Sequence, residues 1–85
     1  AERTRIGRSE ENDLIIEDPR VSRFHAEIER RPEGYVVRDL GSTNGTKVGG
    51  RRISERLLED GDMLTLGGTE MRFRLGADWG GEDVP

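Results

Sequence analysis

No stretch of ten or more residues in this chain carries an apolar face with helical spacing. The apolar residues come instead in clusters of a few, and twelve glycines and three prolines fall largely between the clusters. That layout predicts many short strands joined by tight turns, the pattern of an all-β sandwich or barrel. Phe24, Ala26 and Ile28 alternate with His25, Glu27 and Glu29, the two-residue period of a half-buried strand. Pro32, Glu33 and Gly34 turn the chain, and residues 35–40 supply the second arm of a hairpin. Gly49-Gly50 is a two-residue hairpin turn between residues 46–48 and 51–53. Asp60-Gly61-Asp62 marks another turn, and Gly67-Gly68 divides strands at 63–66 and 70–75. Shorter strands are expected at 3–6 and 14–16, separated by the polar run 9–13.

Eighty-five residues make one small domain. Only 31% are hydrophobic and 38% are charged, a balance that in a disordered chain comes with blocks of one sign. Here the signs alternate around the apolar clusters, so the chain reads as folded with a small core. Residues 1–75 form the domain and residues 76–85 lose all periodicity and read as a tail, with Trp79 either clipped back onto the sandwich or free in solvent. The first strand begins close to residue 1, and because sandwich edges need partners a further strand upstream is an expectation.

Composition removes several functional classes. There is no cysteine, which excludes a disulfide framework and a thiol nucleophile, and His25 is the single histidine, too few for a zinc site. No apolar run approaches the roughly 20 residues of a membrane span, and the N-terminal residues carry no secretory signal pattern. A net charge of −4 argues against nucleic acid as partner. Thirteen of the 14 basic residues are arginine, a side chain suited to planar recognition of anions. The acidic groups at 10–13 and 59–62 lack the alternating oxygen spacing of a calcium loop and read as solvated turns. No metal or cofactor is expected.

Three polar elements remain: Gly7-Arg8-Ser9, Ser22-Arg23-Phe24-His25, and Gly41-Ser42-Thr43-Asn44-Gly45-Thr46. Singly they are a surface arginine, a turn serine and an ordinary Asn-Gly turn. In this order and spacing, with the stretch 58–67, they closely resemble the forkhead-associated (FHA) domain over residues 5–75. The resemblance implies an antiparallel β-sandwich that binds phosphothreonine peptides through loops at one end, without catalysis. It implies Arg8, Ser22 and Thr43 as phosphate ligands, Arg23 beside them, and Asn44 holding the peptide main chain. Gly7, His25 and Gly45 then support the site, and a methyl-sized pocket favours phosphothreonine over phosphoserine.

The chemistry agrees. Phosphothreonine brings about −1.5 to −2 charge and three acceptor oxygens. Arg8 offers a planar fork, Ser22 and Thr43 offer hydroxyls, and turn N–H groups add donors. Arg23 adds a second cation and Arg20 is a candidate third, which predicts acidic residues C-terminal to the phosphothreonine. Loops 17–23 and 41–45 are separated by two antiparallel strands and so return to the same end. A simple meander would put Arg8 at the opposite end, so Arg8 joins the site through the resemblance alone.

Two other classes were weighed. Ser22, His25 and Asp39 supply the residue types of a nucleophilic triad, but strand residues three apart face opposite ways and no strand–turn–helix nucleophile elbow is present. A docking domain that keeps the fold and needs no phosphate is the alternative reading. The expected function is a phosphothreonine-dependent interaction module downstream of a Ser/Thr kinase, in the cytoplasm, with a phosphorylated protein as partner and no nucleic acid or membrane insertion.

Overall fold

The computed structural model describes residues 2–75. Nine short strands follow in order: β1 Arg3–Gly7, β2 Leu14–Ile15, β3 Ala26–Arg31, β4 Gly34–Asp39, β5 Thr46–Val48, β6 Arg51–Ile53, β7 Glu55–Leu57, β8 Met63–Leu66 and β9 Thr69–Arg72. They make a five-stranded sheet, order β2-β1-β3-β4-β7, and a four-stranded sheet, order β6-β5-β8-β9. The two sheets sandwich a core of Ile6, Val21, Ala26, Val37, Val48, Leu58, Leu64 and Leu66. Tyr35 and Phe73 close its far end with ring centroids 5.6 Å apart. The two β-sheets and the absence of helix among the described residues match the expected all-β class. Trp79 and the tail lie outside those residues.

Hairpins form where the glycines allow them. Gly49 and Gly50 adopt φ of 59° and 84°, the left-handed backbone that a two-residue turn between β5 and β6 requires. Gly67 does the same, at φ 59°, between β8 and β9.

Three local expectations change. β2 pairs with β1 in parallel, Ile6 with Leu14 and Gly7 with Ile15, so the chain loops back after β1 before running forward again. This removes the meander assumed from sequence and leaves loops 8–13 and 16–25 at one end. Second, Phe24 does not join the inward alternation. The chain bends at residues 23–24 and β3 starts at Ala26, so His25 is buried while Phe24 sits 37% exposed. Phe24 instead lines a shallow outer-face pocket of about 240 Å³ with Arg5, Glu27 and Leu40. Third, β7 was not expected, because Glu-Arg-Leu carries no apolar period; it pairs with β4, Val36 opposite Leu57.

The outer face of the five-stranded sheet is covered by charge. Arg38 contacts Glu27, Glu29 and Glu55, and Arg31 contacts Glu29 and Glu55. Val36, which pairs with Glu29 in register, is buried yet outside the core cluster. The aliphatic stems of long charged side chains cover apolar surface of this kind.

Candidate functional site

Three loops meet at one end of the sandwich, and each is held by the next. After β1, the Arg8 N–H donates to the Ser22 carbonyl at 3.0 Å and the Ser9 N–H to the Arg23 carbonyl at 3.2 Å. Buried Asn12 reinforces the seam, its Nδ2 donating to the Ser9 carbonyl at 2.9 Å and the Arg23 carbonyl at 2.7 Å. Gly7 is required by this approach, since a Cβ there would lie 2.2 Å from the Arg23 carbonyl oxygen.

His25 ties the second loop to the third. Its ring is fully buried; Nδ1 lies 3.0 Å from the Ser22 N–H and Nε2 lies 2.8 Å from the Gly45 carbonyl. A nitrogen that accepts needs its lone pair, so Nδ1 is unprotonated and the proton sits on Nε2, donating to Gly45. The Thr43 N–H donates to Ser22 Oγ at 3.0 Å and Asn44 Nδ2 donates to the Arg20 carbonyl at 2.7 Å.

Asp39, at the end of β4, organises the third loop. It accepts from the Gly41 and Ser42 N–H groups, from Ser42 Oγ at 2.5 Å and from Thr46 Oγ1 at 2.7 Å. Burial pushes its carboxyl pKa up, but the donors from Ser42, Thr46 and Gly41 outweigh that and hold it below the ordinary value. Ser42 Oγ in turn accepts from the Gly45 N–H at 2.9 Å.

The sequence-derived residues therefore converge. Arg8 is exposed, and its Nε donates to the Val21 carbonyl at 2.9 Å, which steadies the guanidinium. Ser22 Oγ accepts from Thr43 and keeps its own proton to donate. Arg23, Thr43 and Asn44 are exposed at the same end. Arg20 is committed elsewhere: it bonds Asp18 at 3.2 Å and lies against Gly68. Hydrogen bonds from the Arg20 backbone and side chain, with one from Thr69, hold the Asp18 pKa at about 2. Asp39, Ser42 and Asn12 were missed as site residues. Asp39-x-x-Ser42 is a legible side-chain-to-backbone turn pattern; nothing in the sequence marks Asn12.

The triad types do not assemble. His25 Nδ1 faces the Ser22 backbone N–H rather than its hydroxyl, and Asp39 serves Ser42 and Thr46. The orientation reason given from sequence does not apply, because both Ser22 and His25 precede β3. Among the described residues no three His, Cys, Asp or Glu side chains group closely enough to hold a metal ion. No helix among them is long and apolar enough to cross a membrane.

This arrangement has relatives. Over 72 residues the chain is 43% identical to the ABC transporter ATP-binding/permease protein Rv1747 of Mycobacterium tuberculosis, a match covering 85% of this chain and 8% of that protein. It is 39% identical over 74 residues to an oxoglutarate dehydrogenase inhibitor of Corynebacterium jeikeium, covering 87% of this chain and 49% of the relative. The chain thus spans at most about half the length of these curated relatives. Among solved structures, Mycobacterium tuberculosis EmbR in complex with a low-affinity phosphopeptide superposes with a TM-score of 0.84 at 41% identity, over 88% of this chain and 20% of that one. A family model described as FHA domain matches residues 4–67, and with the sandwich and its three interlocked loops in view, the chain belongs to the FHA domain family.

Proposed function

We propose that residues 1–75 are a phosphothreonine-dependent protein-interaction domain, followed by a tail at 76–85, that binds phosphorylated peptides without catalysis. One observation carries the reading. Arg8 is tied to the second loop twice, through its N–H to the Ser22 carbonyl and its Nε to the Val21 carbonyl, and the Ser22 hydroxyl anchors the Thr43 N–H, which supports a shared site for the three. The guanidinium terminus takes phosphate oxygens as a fork, and the Ser22 and Thr43 hydroxyls complete the set of donors. Asn44 keeps its Oδ1 for a peptide N–H while Nδ2 stays on the Arg20 carbonyl. Arg23 stands next to the phosphate ligands and favours acidic residues C-terminal to the phosphothreonine. A Ser/Thr kinase supplies the modification, and the setting is cytoplasmic.

The test is titration of the ¹⁵N-labelled domain with a phosphothreonine peptide pool and its unphosphorylated counterpart. Shifts at Arg8, Ser22, Arg23, Thr43 and Asn44 with the phosphorylated pool alone are expected. A charge-assisted hydrogen bond contributes about 1.5–3 kcal/mol, so Arg8→Ala should weaken binding by about ten- to a hundredfold at ~1.4 kcal/mol per decade. Equal response to both pools would replace this reading with a docking domain indifferent to phosphate.

A further inference from the structure

We infer that Arg52 is a second cationic arm of the peptide site, selecting phosphorylated partners that carry an acidic side chain on the Gly45 side of the Thr43–Asn44 loop tip. The inference rests on the phosphothreonine reading and deepens it. Arg52 belongs to the edge strand β6 and stands directly opposite Lys47 in the β5–β6 register. Like charges facing one another across an antiparallel pair destabilise it. Arg52 does not stay over Lys47. Its side chain leans along the sheet towards the loop and lies across Gly45, with Nε 2.6 Å and Cζ 2.8 Å from where a Cβ on Gly45 would stand. Glycine at position 45, at φ 87°, thus serves the turn and also leaves the space that the guanidinium fills.

The charge there is unmatched. Arg3, Arg20, Arg30, Arg31 and Arg38 each reach a carboxylate of the chain. Among the described residues no carboxylate lies within ion-pair distance of Arg52 or Lys47. A guanidinium laid across Gly45 with no carboxylate of the described residues to meet it is open to an incoming anion. A carboxylate matches that planar fork in a way a lysine ammonium would not require. Its position separates it from Arg23. Arg23 follows Ser22 and its carbonyl is held by Ser9 and Asn12, whereas Arg52 lies against Gly45, beyond Thr43 and Asn44. A peptide whose phosphate sits among Arg8, Ser22 and Thr43 therefore has a cation available against Gly45, the residue that follows the Thr43–Asn44 tip.

The experiment scans Asp and Lys through each position flanking the phosphothreonine, measuring affinity by fluorescence anisotropy for the unaltered chain, Arg52→Gln and Arg52→Glu. Besides the acidic preference set by Arg23, the unaltered chain should favour Asp over Lys at one further position by about two- to fivefold at low salt, the range of an exposed ion pair. Arg52→Gln should remove that preference and Arg52→Glu should invert it at the same position. Both Arg52 variants should still distinguish phosphothreonine from threonine, which shows that the fold and phosphate site survive. An Asp/Lys ratio unchanged by Arg52→Glu at every position, with phosphate discrimination intact, would reduce Arg52 to a cover for Gly45. Loss of phosphate discrimination in the unaltered chain itself would remove the reading on which this one stands.

Discussion

His25→Phe isolates the joint between the second and third loops. Phenylalanine fills the ring's buried volume but offers neither an acceptor to the Ser22 N–H nor a donor to the Gly45 carbonyl. Each buried group left without a partner costs about 1–3 kcal/mol, so the substitution should remove about 2–6 kcal/mol without opening a cavity. Total stability for a chain of 85 residues is on the order of 4–13 kcal/mol, at 0.05–0.15 kcal/mol per residue. The loss is a large share of that total, and the urea midpoint should fall by at least ~0.7 M, given slopes of about 1–3 kcal/mol per molar for small proteins. Hydrogen exchange at the Ser22 amide should accelerate more than at Val37 in the core. His25→Ala should be worse than His25→Phe, because it adds a cavity to the two orphaned groups. A His25→Phe midpoint within error of the unaltered chain, with Ser22 still protected, would refute the claim that the ring's two hydrogen bonds join the loops.

Gly7→Ala places a methyl 2.2 Å from the Arg23 carbonyl oxygen, a backbone atom that cannot step aside. It should displace loop 8–13 and weaken phosphopeptide binding; unchanged affinity with unchanged Arg8 and Ser9 amide shifts would contradict the close approach. Asp18 sets an acid limit. Its folded pKa of about 2 lies below the ordinary value of 3.8, so its contribution to stability is complete above about pH 4 and is lost as pH falls towards 2. NMR titration of the Asp18 carboxyl should show that midpoint, and Arg20→Ala, which keeps the backbone donor, should move it part of the way up; no movement would mean that the guanidinium contributes nothing.

Much of the sandwich was legible because the β5–β6 and β8–β9 turns are written in glycine pairs and their strands need only a few apolar residues. What escaped depended on partners distant in sequence. β7 is a strand only because β4 offers it an edge, and the parallel β1–β2 bridge cannot be read from either short segment. Phe24 fails the alternation because the chain bends to bury His25 between two loops, a tertiary demand that overrides period. In the site, Arg8, Ser22, Thr43 and Asn44 were legible as chemistry. Asn12 was not, because it acts by holding backbone of two loops, and Asp39 was legible only as a turn, its hold on the Thr46 hydroxyl depending on the folded loop. Nothing local in the sequence indicates that Arg52 reaches over Gly45.

The ties across the loop end also bear on when the chain can act during its own synthesis. Thr69 Oγ1 donates to Asp18 at 2.9 Å across 51 positions of sequence, and Gly67 and Gly68 pack against Arg20, whose carbonyl receives Asn44. Every residue proposed to face the ligand has emerged from the ribosome once Arg52 is out, yet the segment that props Arg20 has not. A nascent or nicked chain lacking the β8–β9 hairpin would hold all the recognition chemistry without the brace behind it, and recognition would switch on only with completion of the fold.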